Sequence, residues 1–119
     1  MKAAADAWSL FKPGDRVALH GAGGEPRGAL EALNRDPERG RGLAFVGIWL
    51  PGINDIDPSA VAPDSTAEVI FINPALRAGW ESGRVRLQPI NYWHSEKWIA
   101  GAARLDGAVM QVSLRASFQ

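Results

Sequence analysis

The chain is 119 residues long and 46% hydrophobic, with 13 Lys+Arg balanced by 13 Asp+Glu and no cysteine. That size and composition describe one globular domain with a modest core. The even charge argues against a non-specific nucleic-acid binder, and the missing thiols exclude disulfides, thiolate metal sites and a cysteine nucleophile.

No apolar run approaches the roughly 20 residues of a membrane span, so no membrane association is expected. The N-terminus, with Asp6 early, does not resemble a secretory signal, and a cytoplasmic location is the default expectation. Ala3 to Phe11 places Ala, Trp and Leu at helical spacing and stops at Lys12-Pro13-Gly14-Asp15, a turn signal. Arg16 to His20 reads as the first strand. Gly21-Ala22-Gly23-Gly24-Glu25-Pro26 then forms a glycine-rich loop, and an Ala/Leu-rich helix with its core at Ala29 to Arg35 starts near Pro26. Strand, tight loop and helix N-terminus in that order mark the place where α/β proteins bring ligands to their sheets.

Asp36 to Gly40 breaks that helix, and Leu43 to Leu50 is almost wholly apolar, as a parallel strand covered on both faces requires. Pro51 to Thr66 reads as a long surface connection, a length more often functional than idle. Glu68 to Ile72 is a third strand, Ala75 to Glu81 a short helix and Arg84 to Leu87 a fourth strand. Ser95 to Ala103 suits a further helix with Ser95 as its N-cap, and Ala108 to Leu114 a fifth strand. The alternation predicts an α/β domain with an open, mostly parallel sheet and flanking helices, Rossmann-like in plan. Five tryptophans, Trp8, Trp49, Trp80, Trp93 and Trp98, are many for so small a core, so some are expected either at an interface or over the sheet faces. The last strand is expected to lack a helix over one of its faces.

The order of several segments resembles the acetyl-CoA hydrolase/transferase family, which includes 4-hydroxybutyrate CoA-transferases and belongs to the class I CoA-transferases. The segments are Lys12 to Val17, His20 to Leu33, Asn73 to Val85, Gln88 to Tyr92 and Trp98 to Ser113. The family normally continues beyond this point with a Pro-Pro-Asp-type turn and a complete second domain, where Leu114 to Ser117 stand here. Only Tyr92 matches the family's His-Tyr-Ser element. The resemblance implies the N-terminal half of a two-half enzyme with the active site between the halves. The family's nucleophilic glutamate lies in the half without a counterpart here, so no catalytic residue is assigned. Residues 1–119 are therefore expected to be inactive alone and to need a second CoA-transferase domain or subunit, with a homo-oligomer also open.

The chemistry implied is covalent. A glutamate carboxylate attacks an acyl-CoA thioester to give a mixed anhydride and CoA thiolate, and the thiolate re-attacks to give a glutamyl-CoA thioester. An acceptor carboxylate, or water in the hydrolases, completes the exchange. The expected ligands are acyl-CoA, with coenzyme A as its substrate moiety, and a carboxylate. Gly21, Gly23, Gly24, Glu25 and Pro26 are the candidate substrate-binding residues, since backbone donors at a helix start suit a developing oxyanion. A plain βα turn is the alternative for this loop. Glu25 is read as structural or capping and not as the nucleophile. His20 is read as a satisfied strand-end histidine, and Asp55, Asp57 and Asp64 as loop-solvating turn caps. Two histidines and no cysteine leave no expected metal site. Two rival readings stay open: a non-catalytic partner or binding subunit, and a dinucleotide-binding module. The second is weakened by Pro26 where a third glycine would stand.

Overall fold

The structure is a computed structural model that describes residues 4–112. Five strands, β1 (Arg16–Leu19), β2 (Ala44–Gly47), β3 (Thr66–Val69), β4 (Val85–Leu87) and β5 (Gly107–Val109), form one sheet in the order β4-β3-β2-β1-β5. Every pairing is parallel. This is the open α/β sheet with flanking helices that the alternation of elements predicted. The predicted end of the fifth strand at Ser113 and Leu114, and the departure at Leu114 to Ser117, lie outside the described residues.

The alternation of side chains along the strands divides the core in two. Val17 and Leu19 of β1, Phe45 of β2, Ala67 and Val69 of β3 and Val85 of β4 point to one face. There they meet Trp8, Trp49, Leu76 and the buried stripe Ala29, Leu30 and Leu33 of α1 (Arg27–Arg35). The opposite face carries Val46 against Trp98, Ala103 and Ile70, with Ile99 and Leu105 packed alongside. Ile70 follows β3, and the others come from the β4–β5 connection, in which α3 (Ser95–Lys97) runs into a π-helical turn, Trp98–Ala102. The chain therefore steps from β1 to β4 with its crossovers on the first face, then returns past β3, β2 and β1 on the second to place β5 beside β1. Among the described residues no helix is long and apolar enough to cross a membrane.

Several elements are shorter than the sequence suggested. The first segment is a 3₁₀-helix, Ala4–Leu10, and β2 leaves the ladder at Gly47 although apolar residues run on to Leu50. Trp49 turns into the first core and is fully buried there, so hydrophobicity persists where pairing has ended. The predicted cap Ser95 is displaced by Asn91, whose Oδ1 accepts from the His94 N–H at 3.0 Å and starts a 3₁₀ turn, Tyr92–His94, ahead of α3. The short helix predicted after Asn73 is split, with a 3₁₀ turn at Pro74–Leu76 leading into α2 (Arg77–Glu81). Of the five tryptophans, Trp8, Trp49 and Trp98 are buried, whereas Trp80 and Trp93 are exposed, Trp93 at 87%.

One polar contact crosses the second face. The Arg16 guanidinium donates to the Glu68 carboxylate at 2.5 Å, spanning over β2, while its Nε donates to the Ala103 carbonyl oxygen. Asp106 Oδ2 accepts from the Arg16 backbone N–H at 2.8 Å. The pair is partly buried, so its value falls between that of a surface bridge and that of a fully buried one. Glu68→Leu is expected to lose about 2 kcal/mol in urea denaturation by stranding the Arg16 charge. The double change Arg16→Met with Glu68→Leu is expected to recover most of that loss. A single variant as stable as the parent would show the pair to be inert.

Candidate functional site

The return of the chain creates a switch point between β1 and β5. The crossover leaving β1 packs on the first face and the crossover entering β5 on the second, and open α/β sheets hold ligands at such a change of side. A cleft of about 280 Å³ opens at this place. Its floor is made of small side chains, Ala18 on β1 opposite Ala108 on β5, with Val46 and Gly47 of β2. Ile99 and Leu105 rise from the β4–β5 connection, and His20, Gly21, Tyr92 and Met110 stand at the rim. The hollow exists because Ala18 and Ala108 are too small to fill it and the π-helical turn covers the β2 side of this face. Tyr92 is 69% exposed and Met110 54%.

The glycine-rich loop lies at the predicted end of β1, but its five candidate residues separate. Gly21 forms part of the cleft wall with its neighbours His20 and Ala22. Gly23 is exposed and has open space beside its Cα. Gly24 packs so closely on the His20 imidazole that a methyl group there would overlap the ring. Glu25 is only 6% exposed and lies with buried Pro26 outside the cleft lining. One Glu25 carboxylate oxygen contacts Arg27 at 3.2 Å, while the other, Oε1, is buried without a hydrogen-bond partner. The Pro26 side of the loop thus belongs to the helix start, and the His20 side to the cleft.

The loop also consumes some of its own donors. Gly24 N–H donates to the Gly21 carbonyl at 3.1 Å, and Ala22 N–H donates to Asn54 Oδ1 at 2.9 Å. Any oxyanion contact must therefore come from other amides of the loop. The Gly24 carbonyl accepts from Gln111 N–H at 3.1 Å, which ties the loop to the segment after β5. Gly21→Ala is expected to cost about 1–3 kcal/mol, because the added methyl would meet the Ile48 backbone carbonyl, a neighbour with little room to move. Gly23→Ala is expected to stay within about 0.5 kcal/mol of the parent. Equal midpoints for the two variants in thermal unfolding would contradict this division of the loop.

Two asparagines that sequence reasoning did not single out organise the site. Asn54, 1% exposed, lies in the long connection after β2, and Asn73 follows β3. Asn73 Nδ2 donates to the Asn54 backbone carbonyl at 3.1 Å, and Asn73 Oδ1 accepts from Leu76 N–H at 3.2 Å. The connections after β1, β2 and β3 are joined through these two buried amides. The only sequence signal is a single Asn within a turn-rich stretch, and nothing local distinguishes it from a solvent-facing turn residue.

The other polar candidates fall where turn chemistry puts them. Asp57 Oδ1 caps the Pro58–Ala60 turn by accepting from Ser59 N–H, Asp55 contacts Arg27 at 3.5 Å, and Asp64 contacts Arg41 at 3.3 Å. His94 Nδ1 lies 2.7 Å from Asn91 Oδ1, away from the cleft lining. A larger hollow, about 420 Å³, lies among Trp8, Phe11, Lys12, Pro13, Glu38, Arg39 and Arg41, next to the amino ends of β1 and β2. Its Glu38, Arg39 and Arg41 charges are engaged locally. The Arg41 guanidinium forks onto both Glu38 oxygens at 2.8 Å, which holds the Glu38 carboxyl below its ordinary range and raises Arg41. Position at the strands' carboxyl ends favours the cleft beside β1 and β5 over this hollow.

No protein-family model and no curated protein matches the chain. Solved structures do share its fold. RipA from Yersinia pestis superposes with a TM-score of 0.73 at 18% identity over 92% of this chain. Two point-mutant structures of RipA give TM-scores of 0.72 and 0.73 at 20% identity over the same share. The chain spans 28% of the RipA chain's length in the first case and 27% in the others. At this identity the likeness establishes the common fold.

Proposed function

We propose that this chain forms the N-terminal part of an acyl-CoA:carboxylate CoA-transferase or acyl-CoA hydrolase, and that the switch-point cleft receives the acyl end of the thioester. The observation that carries this reading is the apolar cleft bounded by His20, Gly21 and Ala22 at the carboxyl ends of the strands. Its volume lies near the lower end of the roughly 300–1,000 Å³ typical of ligand sites, which suits an acyl group and its thioester and leaves the nucleotide outside. The wall of Ala18, Val46, Ile48, Ile99, Leu105 and Val109 presents an apolar surface to the acyl chain. Electrostatic contacts made against such a surface are stronger than in water. The resemblance of the Lys12 to Val17, His20 to Leu33 and Trp98 to Ser113 segments to the acetyl-CoA hydrolase/transferase family supports the same assignment.

The attacking carboxylate comes from a different polypeptide segment. Glu25 is the acid nearest the loop in sequence, yet it is buried at the helix start, outside the cleft lining, with Arg27 holding one of its oxygens. This chain's own part is to bind and orient the acyl group while the partner segment performs the exchange. Exposed Tyr92 at the cleft's edge, and its exposed sequence neighbour Trp93, are available to such a segment.

The test is an assay of the full chain for acetyl-CoA hydrolysis and for transfer to a carboxylate acceptor. The assay is then repeated with a C-terminal class I CoA-transferase half supplied. No turnover alone and measurable turnover with the added half is the expected pattern. Turnover by the single chain would refute the division of labour. Absence of both turnover and acyl-CoA binding with the half supplied would favour a non-catalytic binding role.

A further inference from the structure

Ala22 is one of three non-glycine residues with positive φ among the described residues, at φ 50°, and it lies in the cleft wall. A side chain in the left-handed region carries an energetic cost, and such residues persist only where surrounding contacts over-determine them. Here the contacts come from one side chain. Asn54 Oδ1 accepts from Ala22 N–H at 2.9 Å, and Asn54 Nδ2 donates to the Ala22 carbonyl oxygen at 3.3 Å, so the amide clasps both backbone groups of the same residue. The same Oδ1 accepts from Leu50 N–H at 2.8 Å, and the Asn54 backbone carbonyl accepts from Asn73. Asn54 is fully buried, so the clasp is held by its surroundings and shielded from competing water.

The consequence is directional. With Ala22 in the left-handed region, the chain turns sharply after Gly21, whose Cα is pressed against the Ile48 carbonyl, and His20, Gly21 and Ala22 form one wall of the cleft. Asn54 itself does not line the cleft. We propose that Asn54 is a positioning residue for the proposed acyl-CoA site: its buried amide holds Ala22 in a left-handed conformation and so sets the shape of the ligand-facing wall. This rests on the functional reading above only for the identity of the ligand. The conformational clasp stands apart from it.

Both parts are read with the full, isotopically labelled chain and its Asn54→Ala, Ala22→Gly and double variants. Without ligand, backbone couplings and chemical shifts report the sign of φ at residue 22. Acetyl-CoA is the binding probe. Asn54→Ala is expected to move Ala22 out of the left-handed region and to weaken acetyl-CoA binding at least tenfold. Glycine adopts positive φ without penalty, so the double variant is expected to bind within about threefold of the parent even though the stability lost with Asn54 is not restored. Should Asn54→Ala fail to fold, Asn54→Ser, too short to hold the two Ala22 backbone groups, carries the same readouts. Retention of positive φ at Ala22 in the Asn54 variants would overturn the proposal, as would a double variant that binds no better than Asn54→Ala. If the parent chain does not bind acetyl-CoA, the ligand assignment fails by itself, and the sign of φ at residue 22 still decides whether Asn54 shapes the wall.

Discussion

Trp8→Ala is expected to remove about 3–5 kcal/mol of folding stability, the range for truncating a large aromatic side chain in a packed core. Trp8 is 1% exposed, its ring meets Phe45 edge-on with centroids 5.9 Å apart, and its Nε1 donates to the Ala29 carbonyl at 2.7 Å. One residue therefore fastens the N-terminal 3₁₀-helix to α1 and to the central strand of the sheet. Domains of this kind have roughly 5–15 kcal/mol in total, so the loss would be a large fraction of it. Trp8→Phe keeps most of the buried ring and forfeits the hydrogen bond, and is expected to cost about 1–2 kcal/mol. Urea denaturation with an unchanged m-value checks both figures. A Trp8→Ala loss below about 1 kcal/mol would show that the N-terminal segment does not complete the first core.

The second large effect concerns the cleft. Ala108→Trp places an indole where β5 now presents a methyl group opposite Ala18. The residue is exposed and faces open space, so the added bulk has somewhere to go and the penalty of overpacking a closed core does not apply. Thermal stability is expected to stay within about 0.5 kcal/mol of the parent. Acetyl-CoA affinity is expected to fall at least about a hundredfold, equivalent to roughly 2.7 kcal/mol. Calorimetric titration of both proteins measures it. Undiminished affinity in a folded variant would place the ligand elsewhere.

The sheet was readable from the sequence because its strands carry their environment openly. Val17 and Leu19 alternate with Arg16 and Ala18, and the continuous run around Phe45 and Val46 announces a strand covered on both faces. The boundaries were less legible. Residues such as Trp49 and Ile70 stay buried after leaving the ladder, so an apolar run overstates the strand that contains it. Asn91 displaced Ser95 as a cap because an Asx turn at Asn91 begins the helical segment one turn early.

The cleft was legible in place and not in detail. Glycines after β1 located the crevice, since a strand that ends in a flexible loop is a local pattern. Which loop residues face the cleft is decided largely by partners distant in sequence, Ile48 for Gly21 and Asn54 for Ala22, while Gly24 is fixed by nearby His20. Tyr92, Ile99, Leu105 and Met110 join the cleft only because the final crossover returns along the second face and puts β5 beside β1. No spacing within the chain encodes that proximity.

The central claim is that the cleft between β1 and β5 takes a thioester ligand, and the most direct measurement is a titration of the full chain with acetyl-CoA followed through backbone amide shifts. Saturable shifts at His20, Gly21, Ala22 and Met110, with Lys12 and Arg41 unmoved, are the predicted result. Unmoved His20, Gly21 and Ala22 resonances, or shifts confined to the hollow beside Arg41, would contradict it.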